Sequence, residues 1–207
     1  MKIAVLGSTG QTGRLVVARA LERGHDVIAL ARRPEQVEIP AAGSLRVVPA
    51  DVTRPGSVAN AVAEADVVIS GLGITKKQDP AILTEGARQI AHAAPRVIWL
   101  SSLGMGATQG ALGTFNGALL KRILRHEWDA KGAAGRAVRT VGGTTVHAGP
   151  LNNKPYQGNG RLIRAADYAP RMMPPMTPRA GIAALMLAEA ESPRFADADT
   201  VALFDSR

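Results

Sequence analysis

Short apolar runs recur along the chain, and segments with helical spacing of their apolar residues separate them. Most of the runs are continuously apolar and do not alternate, as expected for strands that are covered on both faces. This alternation of strands and helices is typical of βαβ units around a parallel sheet. Strands are predicted at 3–6, 27–30, 45–48, 67–69, 97–100, 144–147 and 200–204.

The segments between the runs predict five helices. They lie at 12–23, from Pro55 onward, at 80–93, at 117–139 and at 179–191. Gly24 directly follows the first segment, and glycine is a common helix terminator. The predicted fold is a single α/β domain over residues 1–207: a doubly wound (Rossmann) parallel β-sheet with helices on both faces, in three layers.

Residues 150–178 interrupt this regularity. The segment holds six prolines together with several glycines and asparagines. Because proline cannot donate to a backbone ladder, we expect an irregular segment that covers a substrate. A surface connection without a ligand role is the alternative.

Composition narrows the class of protein. A hydrophobic fraction of 46% and a charged fraction of 20% are ordinary for a soluble globular domain. The chain has no cysteine and only four scattered histidines, so neither disulfides nor a metal site are predicted. No apolar run reaches the ~18 residues of a membrane span, and no targeting segment is evident, so we expect a cytoplasmic protein.

The formal net charge of +8 is the excess of 25 basic over 17 acidic residues, and the basic residues are spread over the chain with no long block of like charge. Aromatic residues make up only 3% of the chain, so the stacking platforms of single-strand binders are not expected. Charge and composition together argue against nucleic-acid binding. A generally basic surface would instead attract phosphorylated small molecules.

A glycine-rich turn directly follows the first predicted strand and opens the first predicted helix. It consists of Gly7, Ser8, Thr9, Gly10, Gln11, Thr12 and Gly13. Gly7 permits a tight turn, Gly10 lets backbone N–H groups approach a pyrophosphate, and Gly13 lets helix and strand pack closely. Since the helix N-terminus adds a positive field, the turn predicts a dinucleotide site.

Arg32 and Arg33 follow the second predicted strand, where dinucleotide-binding folds contact the adenosine ribose. A carboxylate there would accept bonds from the hydroxyls of NAD, whereas guanidinium groups pair with the 2′-phosphate of NADP. The sequence therefore favours NADP(H) over NAD(H). The alternative is that both arginines belong to a generally basic surface, and Glu35 lies close by.

Two further strand ends carry candidate cofactor residues. Asp51 can accept a bond from the adenine amino group while Val52 packs on the ring, although Asp51 could simply begin a turn. Gly71, Leu72 and Gly73 follow the fourth predicted strand, where small residues let the chain pass close to a ribose or phosphate. All these ends lie at one edge of the predicted sheet, where open α/β folds bind ligands.

The chain resembles the atypical short-chain dehydrogenase/reductases, specifically the small NAD(P)H-binding, NmrA-like and biliverdin/flavin-reductase-like proteins. The resemblance covers nearly the whole chain and rests on five motifs. They are the glycine turn at 7–13, Ala-Arg-Arg at 31–33, Asp-Val at 51–52, Gly-Leu-Gly at 71–73 and Val-Ile-Trp-Leu-Ser-Ser-Leu-Gly at 97–104.

The resemblance implies roles for further residues. Ser101 or Ser102 corresponds to the serine that hydrogen-bonds the substrate, and Lys131 to the lysine that holds the nicotinamide ribose. Pro150 and Leu151 fall in the turn that closes over the nicotinamide, although the arginine of that turn is missing. An ordinary solvated helix lysine is the alternative for Lys131.

The sequence departs from the family at its catalytic tyrosine. Glu127 stands where the Tyr-x-x-x-Lys pattern has its tyrosine, and residues 1–155 contain none. Ser102, His147 and Tyr168 remain as candidate proton donors. A structural role is the alternative for His147.

Two functions follow from these observations. The first is an NADPH-dependent reductase that acts on a small, planar acceptor such as a flavin or quinone. The second is a non-catalytic regulator of the NmrA-like type that binds NADP(H) and signals to a protein partner. The sequence does not identify the substrate and leaves monomer and homodimer open.

Overall fold

The computed structural model describes most of the chain. The described residues are 1–37, 43–75, 77–113, 117–118, 121–122, 125–156, 158, 160–172 and 174–204. In this part of the chain, no helix is long and apolar enough to cross a membrane.

Eight of the ten described strands form one sheet in the order β3-β2-β1-β4-β5-β6-β10-β8. The neighbours in this sheet run parallel, except that β8 pairs antiparallel with β10. The strands are β1 (Lys2–Leu6), β2 (Asp26–Ala31), β3 (Leu45–Pro49), β4 (Val67–Ser70), β5 (Val97–Ser102), β6 (Thr144–Ala148), β7 (Leu151–Asn152), β8 (Gly160–Arg164), β9 (Thr177–Pro178) and β10 (Ala198–Phe204). The remaining two, β7 and β9, form a small parallel pair.

The helices cover both faces of the sheet. They are α1 (Gln11–Glu22), α2 (Ser57–Val62), α3 (Ala81–Ala93), α4 (Arg125–Arg139) and α5 (Arg179–Glu191). Helices α1 and α5 share one hydrophobic core with the sheet, whereas α2, α3 and α4 share the other. The predicted doubly wound, three-layer α/β fold is thus confirmed.

The chain reverses its direction of travel across the sheet at β1. It runs from β1 through β2 to β3, and then returns to β4 on the other side of β1. Loops that leave the carboxyl ends of β1 and β4 therefore diverge and open a crevice, which is where open α/β sheets bind ligands. The glycine-rich turn and Gly71 both lie at this switch point.

The segment 150–178 is more regular than predicted: Leu151–Asn152 and Thr177–Pro178 form the short strands β7 and β9, and the prediction of an irregular segment is also wrong for residues 160–164. These residues form β8, which is the edge strand beside β10. The prolines of the segment lie outside β8, so its backbone donors remain available for pairing. The predicted fourth helix is described continuously only over Arg125–Arg139, and its residues 119–120 and 123–124 lie outside the described residues.

Candidate functional site

The glycine-rich turn joins β1 to α1 in a conformation that requires glycine. Gly7 has φ +79°, in the left-handed region that favours glycine. A Cβ at Gly7 would lie 2.9 Å from the backbone nitrogen of Leu72, and one at Gly13 only 2.1 Å from the carbonyl oxygen of Gly7. The turn, the start of α1 and the loop after β4 are therefore packed backbone against backbone.

Gly10 differs from the other two glycines of the turn. Its N–H donates to the carbonyl oxygen of Gly7 at 3.0 Å, and a Cβ there would lie 3.2 Å from that same oxygen. Gly10 is also the N-cap of α1, and its first turn has neither a side-chain cap nor an acidic residue. The first N–H groups of the helix are thus left without a side-chain acceptor, as an anion-binding helix start requires.

The side chains of the turn divide into buried and exposed groups. Ser8 is fully buried, and its hydroxyl donates to the carbonyl oxygen of Leu30 at 2.7 Å, which ties the turn to β2. Thr12 is buried as well, whereas Thr9 and Gln11 are exposed. The Ser8 side chain therefore anchors the turn to β2, whereas Gly7, Thr9 and Gly10 of the turn face the cavity described next.

A cavity of about 310 Å³ opens over this turn at the carboxyl ends of β1, β2 and β4. The predicted cofactor residues among its walls are Gly7, Thr9, Gly10, Arg32, Asp51, Val52, Gly71, Leu72 and Gly73. Thr53, Thr75, Gln78 and Ile82 also line it and were missed, because they follow the strand ends and carry no motif. Residues from four separate stretches of sequence thus surround one space.

Arg32 and Arg33 leave the end of β2 as exposed side chains, but only Arg32 lines the cavity. Neither guanidinium forms a salt bridge with a carboxylate of the described residues, Glu35 included. Arg32 is thus the better placed of the two to pair with a bound phosphate.

Asp51 both begins a turn and lines the cavity. Its Oδ1 accepts from the backbone N–H of Thr53 at 2.9 Å and from the Thr53 hydroxyl at 2.8 Å. The Thr53 N–H is the main reason why the pKa of the Asp51 carboxyl lies below its ordinary value. Partial burial opposes this shift, while the Thr53 hydroxyl and the positive charges of Arg32 and Arg54 reinforce it. The carboxylate therefore stays ionised beside the cavity.

Apolar side chains form part of the cavity wall. Val52 is buried, and Leu72 and Ile82 are partly buried beside it. A Cβ at Gly86 would lie 2.7 Å from Leu72 and 3.2 Å from Val52, so this glycine of α3 lets both side chains pack closely. The cavity thus combines an apolar wall suited to an aromatic base with an anion-binding turn and an arginine.

A second polar cluster lies at the end of β5, one strand beyond β4. Lys131 of α4 donates from Nζ to Ser102 Oγ at 2.8 Å and lies 3.1 Å from Glu127 Oε2. The Lys131 and Glu127 side chains are 20% and 21% exposed. Lys131 is therefore no freely solvated helix lysine, because it bridges its own helix to the sheet.

His147 lies behind this cluster and is 2% exposed. Its Nε2 lies 2.9 Å from Asp199 Oδ1, and its Nδ1 lies 3.2 Å from the carbonyl oxygen of Ser102. Ser101 is also buried, in register with His147 across β5 and β6. The imidazole thus contacts the backbone that carries Ser102, and Asp199 is a partner that the sequence did not indicate.

Pro150 and Leu151 follow β6 and are held by the β7–β9 pair. The Thr177 N–H donates to the Pro150 carbonyl at 2.9 Å, and a Cβ at Gly149 would lie 2.0 Å from the Pro175 carbonyl oxygen. Tyr168, the third candidate donor, is buried among Leu103, Ala111 and Val201. Its hydroxyl has no hydrogen-bond partner among the described residues.

Comparison with known proteins identifies the chain's family. A model of the NAD(P)H-binding family matches residues 7–193. The chain belongs to this NAD(P)H-binding family. The match begins at Gly7 and extends beyond α5, so it includes the glycine turn, the cavity and the Ser102 cluster. A nicotinamide dinucleotide is thus the ligand class for which the anion-binding turn and apolar wall are built.

Solved structures of the same architecture include two named reductases or oxidoreductases. The oxidoreductase YlbE of Lactococcus lactis superposes with a TM-score of 0.82 at 18% identity, covering 100% of this chain and 92% of that one. The anaerobillin reductase ChuY of Escherichia coli O157:H7 superposes with a TM-score of 0.80 at 20% identity, covering 100% and 98%. At these identities the similarity establishes the fold.

Curated relatives match over shorter segments. A 4-hydroxy-tetrahydrodipicolinate reductase of Natronomonas pharaonis is 45% identical over 51 residues, which are 25% of this chain and 19% of that protein. A 3-beta-hydroxysteroid dehydrogenase of Mycolicibacterium neoaurum is 35% identical over 88 residues, which are 42% and 24%. The chain thus spans no more than about a quarter of either relative.

Proposed function

We propose that the protein is an NADPH-dependent reductase of a small, planar acceptor such as a flavin or quinone. The observation that carries this proposal is the Lys131–Ser102 contact, one strand away from the nucleotide cavity. A protein that only stores or senses the cofactor has no need of a polarised hydroxyl at that place. The named reductases among proteins of the same fold support the reaction class.

The residues of the cavity suit the cofactor. The N–H groups at the start of α1 would hold the pyrophosphate, and the apolar wall with Asp51 would hold the adenine. When bound, the nicotinamide supplies a hydride, which is a pair of electrons with one proton. The chain's own part is to orient the acceptor and to add the remaining proton.

Arg32 supports NADP(H) over NAD(H). Its guanidinium lines the cavity and forms no salt bridge among the described residues, so its N–H donors would be available to a 2′-phosphate. We expect Arg32→Ala to weaken NADPH binding about tenfold or more and NADH binding less than about twofold, as loss of a charge-assisted pair predicts. Isothermal titration of both cofactors measures the difference.

Arg33→Ala is the matched control, since Arg33 is equally exposed but does not line the cavity. We expect Arg33→Ala to change NADPH affinity by less than about threefold, because Arg33 is a solvent-exposed charge outside the cavity. Equal affinities of the wild type for NADPH and NADH would contradict the preference. If Arg33→Ala weakened NADPH binding as much as Arg32→Ala, the assignment of the 2′-phosphate to Arg32 would be wrong.

Residues 165–172 and 174–178 contribute to the proposed roof over the acceptor. The Arg171 N–H donates to the Ala111 carbonyl at 3.0 Å, and Pro175 packs on Gly149. The segment therefore contacts the chain that follows β5 and the chain that follows β6. Its exposed Met172 and Met176 present adaptable apolar surface, which suits a planar apolar acceptor.

The reductase proposal is tested by turnover. We expect purified protein to oxidise NADPH in the presence of one class within a panel of flavins, quinones, bilins and aldehydes, followed by loss of nicotinamide absorbance. Tight NADPH binding without turnover of any acceptor would instead favour the regulator, for which Glu127 in place of tyrosine is the supporting observation. We further propose a cytoplasmic protein whose partner is the small-molecule acceptor, as a monomer or a homodimer.

A further inference from the structure

Lys131 bridges two residues that lie on different elements. Its Nζ donates to Ser102 Oγ at 2.8 Å and lies 3.1 Å from Glu127 Oε2, one helical turn earlier on α4. An ion pair on a helix surface needs only residues four apart, and most such pairs are solvated. Here about four fifths of both side chains is buried, and the third partner comes from β5.

The hydrogen-bond donors of this cluster determine the role of the Ser102 hydroxyl. A lysine ammonium only donates, so Ser102 Oγ is the acceptor in the contact with Lys131. The Ser102 hydroxyl hydrogen has no acceptor among the described residues, and it is therefore free to be donated to another molecule. Because the ammonium stabilises negative charge on Oγ, it also makes that hydrogen easier to release.

We propose that Ser102 donates the proton that completes reduction, that Lys131 returns a proton to it, and that Glu127 positions Lys131. This inference rests on the proposed reductase function and names the groups that replace the missing tyrosine. Glu127 acts through Lys131 alone, because a carboxylate that is paired with an ammonium group is an acceptor and has no proton to give.

The proposed step balances with the groups named. The acceptor gains two electrons and one hydrogen as hydride, and then one proton when the Ser102 Oγ–H bond breaks. The oxygen regains a proton from Lys131 Nζ, and the neutral amine takes one from water. Since the Lys131 side chain is 20% exposed, it can exchange that proton with solvent.

A second set of contacts holds Ser102 from its backbone side. Two contacts join the end of β5 to β6: His147 Nδ1 of β6 lies 3.2 Å from the Ser102 carbonyl oxygen, and the N–H of Leu103, just after β5, donates to the Ala148 carbonyl at 2.8 Å. The strand end is thus fixed to β6, while the hydroxyl faces Lys131. Ser102 is therefore prepositioned by protein contacts alone.

The first test uses protein without cofactor and measures the reactivity of the Lys131 amine. Trace labelling with acetic anhydride, read by peptide mass spectrometry, compares wild type, Glu127→Ala and Glu127→Gln. We expect Glu127→Ala to raise Lys131 labelling at least about threefold, because the paired charge and the steric cover are both lost. Glu127→Gln retains an acceptor oxygen and should lie between the two.

The matched control is Asp129→Asn. Asp129 is an exposed carboxylate on the same helix, and no salt bridge of the described residues includes it. The Asp129→Asn variant should leave the labelling of Lys131 unchanged, and the exposed Lys154 serves as the internal reference. Unchanged Lys131 labelling in Glu127→Ala would overturn the positioning role. Thermal unfolding of each variant checks that the compared proteins are folded.

The second test separates proton delivery from binding. With the acceptor found by the turnover screen, Ser102→Ala should lower kcat about 100-fold and Glu127→Ala about tenfold, in the range of general acid catalysis. Both should leave KM within about threefold of the wild-type value, since the proton transfer that they impair takes place in the transition state and not on binding. Glu127→Gln should recover most of the loss, whereas Asp129→Asn should match wild type.

The outcomes keep the two proposals apart. Turnover by wild type with kcat unchanged in Glu127→Ala would reject this inference and leave the reductase function standing. Absence of turnover by wild type would reject proton delivery together with the reductase function. In that case the labelling comparison would still decide whether Glu127 holds Lys131 against Ser102.

Discussion

At the scale of single residues, the site depends on hydroxyl groups whose partners differ sharply. The Ser8 hydroxyl donates to Leu30 and is closed off from the cavity, whereas the Ser102 hydroxyl accepts from Lys131 and has no acceptor for its own hydrogen among the described residues. Tyr168 is a third case, since its hydroxyl is buried with no partner among the described residues. Hydroxyl groups thus occur in a structural, a proposed reactive and an unsatisfied setting among the described residues.

Tyr168 leads to a prediction about stability. Since burying an unpaired hydroxyl costs about 1–3 kcal/mol, Tyr168→Phe should leave the free energy of unfolding unchanged or raise it by up to about 1 kcal/mol. Urea unfolding at neutral pH measures this change. A loss of more than about 1 kcal/mol would show that the hydroxyl has a partner worth a normal hydrogen bond.

Tyr168 also makes the stability of the fold decrease at alkaline pH. Burial raises the pKa of Tyr168 above its ordinary value of 10.0, so the folded state holds this proton more tightly than the unfolded state. Its contribution to stability is complete below about pH 10 and is lost as the pH rises through the folded value. Tyr168→Phe should therefore flatten the fall in stability above about pH 10, measured by urea unfolding across that range.

At the scale of elements, the start of α1 joins packing and ligand binding in one turn. Gly13 is needed for packing, because a Cβ there would lie 2.1 Å from the Gly7 carbonyl oxygen. Gly10 is less constrained, since its Cβ would lie 3.2 Å from the same atom. Two glycines three residues apart therefore have separable roles.

Alanine substitutions should separate these roles. Gly13→Ala should destabilise the fold by about 2 kcal/mol or more, because backbone atoms must shift. Gly10→Ala should cost less than about 1 kcal/mol but still weaken NADPH binding about tenfold, because a methyl group would stand where the pyrophosphate approaches. Thermal unfolding measures the stability of the two variants, and cofactor titration measures their affinity for NADPH. Equal losses of stability in Gly13→Ala and Gly10→Ala would contradict the separate roles.

Helix α4 contains a glycine that packing does not require. A Cβ at Gly135 would meet only Thr145 Cγ2, at 4.0 Å, so Gly135→Ala should stabilise the protein by about 0.5–1 kcal/mol through helix propensity. Gly143 is the contrasting control, because its Cβ would lie 2.5 Å from Val138 Cγ1 and 2.8 Å from the Val138 carbonyl oxygen. Urea unfolding should show that Gly143→Ala lowers the free energy of unfolding. If Gly135→Ala and Gly143→Ala changed this free energy in the same direction, the packing assignment would be contradicted.

At the scale of the whole molecule, the sheet order assembles the site. Residues 7–13, 31–33, 51–52 and 71–73 are about 20 positions apart in sequence, and most of them line one cavity because β1, β2, β3 and β4 are neighbours. The Ser102 cluster lies at the end of the next strand, β5. The nucleotide cavity and the proposed proton donor are thus adjacent because their strands are adjacent.

Net charge acts at this scale as well. With a formal charge of +8, the protein should attract NADPH more strongly than NADH, because NADPH carries an additional phosphate. Raising ionic strength from about 0.05 M to about 0.5 M should weaken NADPH binding more than NADH binding, since screening shortens the Debye length about threefold. Fluorescence titration of both cofactors measures the two slopes, and parallel slopes would contradict a charged contact at the 2′-phosphate.

The sequence by itself determined the elements and the class of ligand. Continuous apolar runs mark strands that are covered on both faces, and seven of the ten described strands follow from them. The glycine turn can also be recognised locally, since the contacts that require Gly10 and Gly13 are made within the turn itself. The edge strand β8 was missed because its proline-rich surroundings outweighed the short pattern of Gly160–Arg164.

Only the tertiary structure decided which side chains meet. Lys131 contacts Ser102 from 29 positions away, and Asp199 reaches His147 from 52 positions away. No local pattern encodes such pairs, because they depend on how α4 packs on the sheet and on β10 lying beside β6. The sequence therefore indicated a nicotinamide dinucleotide, while the packing of distant elements set the atoms that could move a proton beside it.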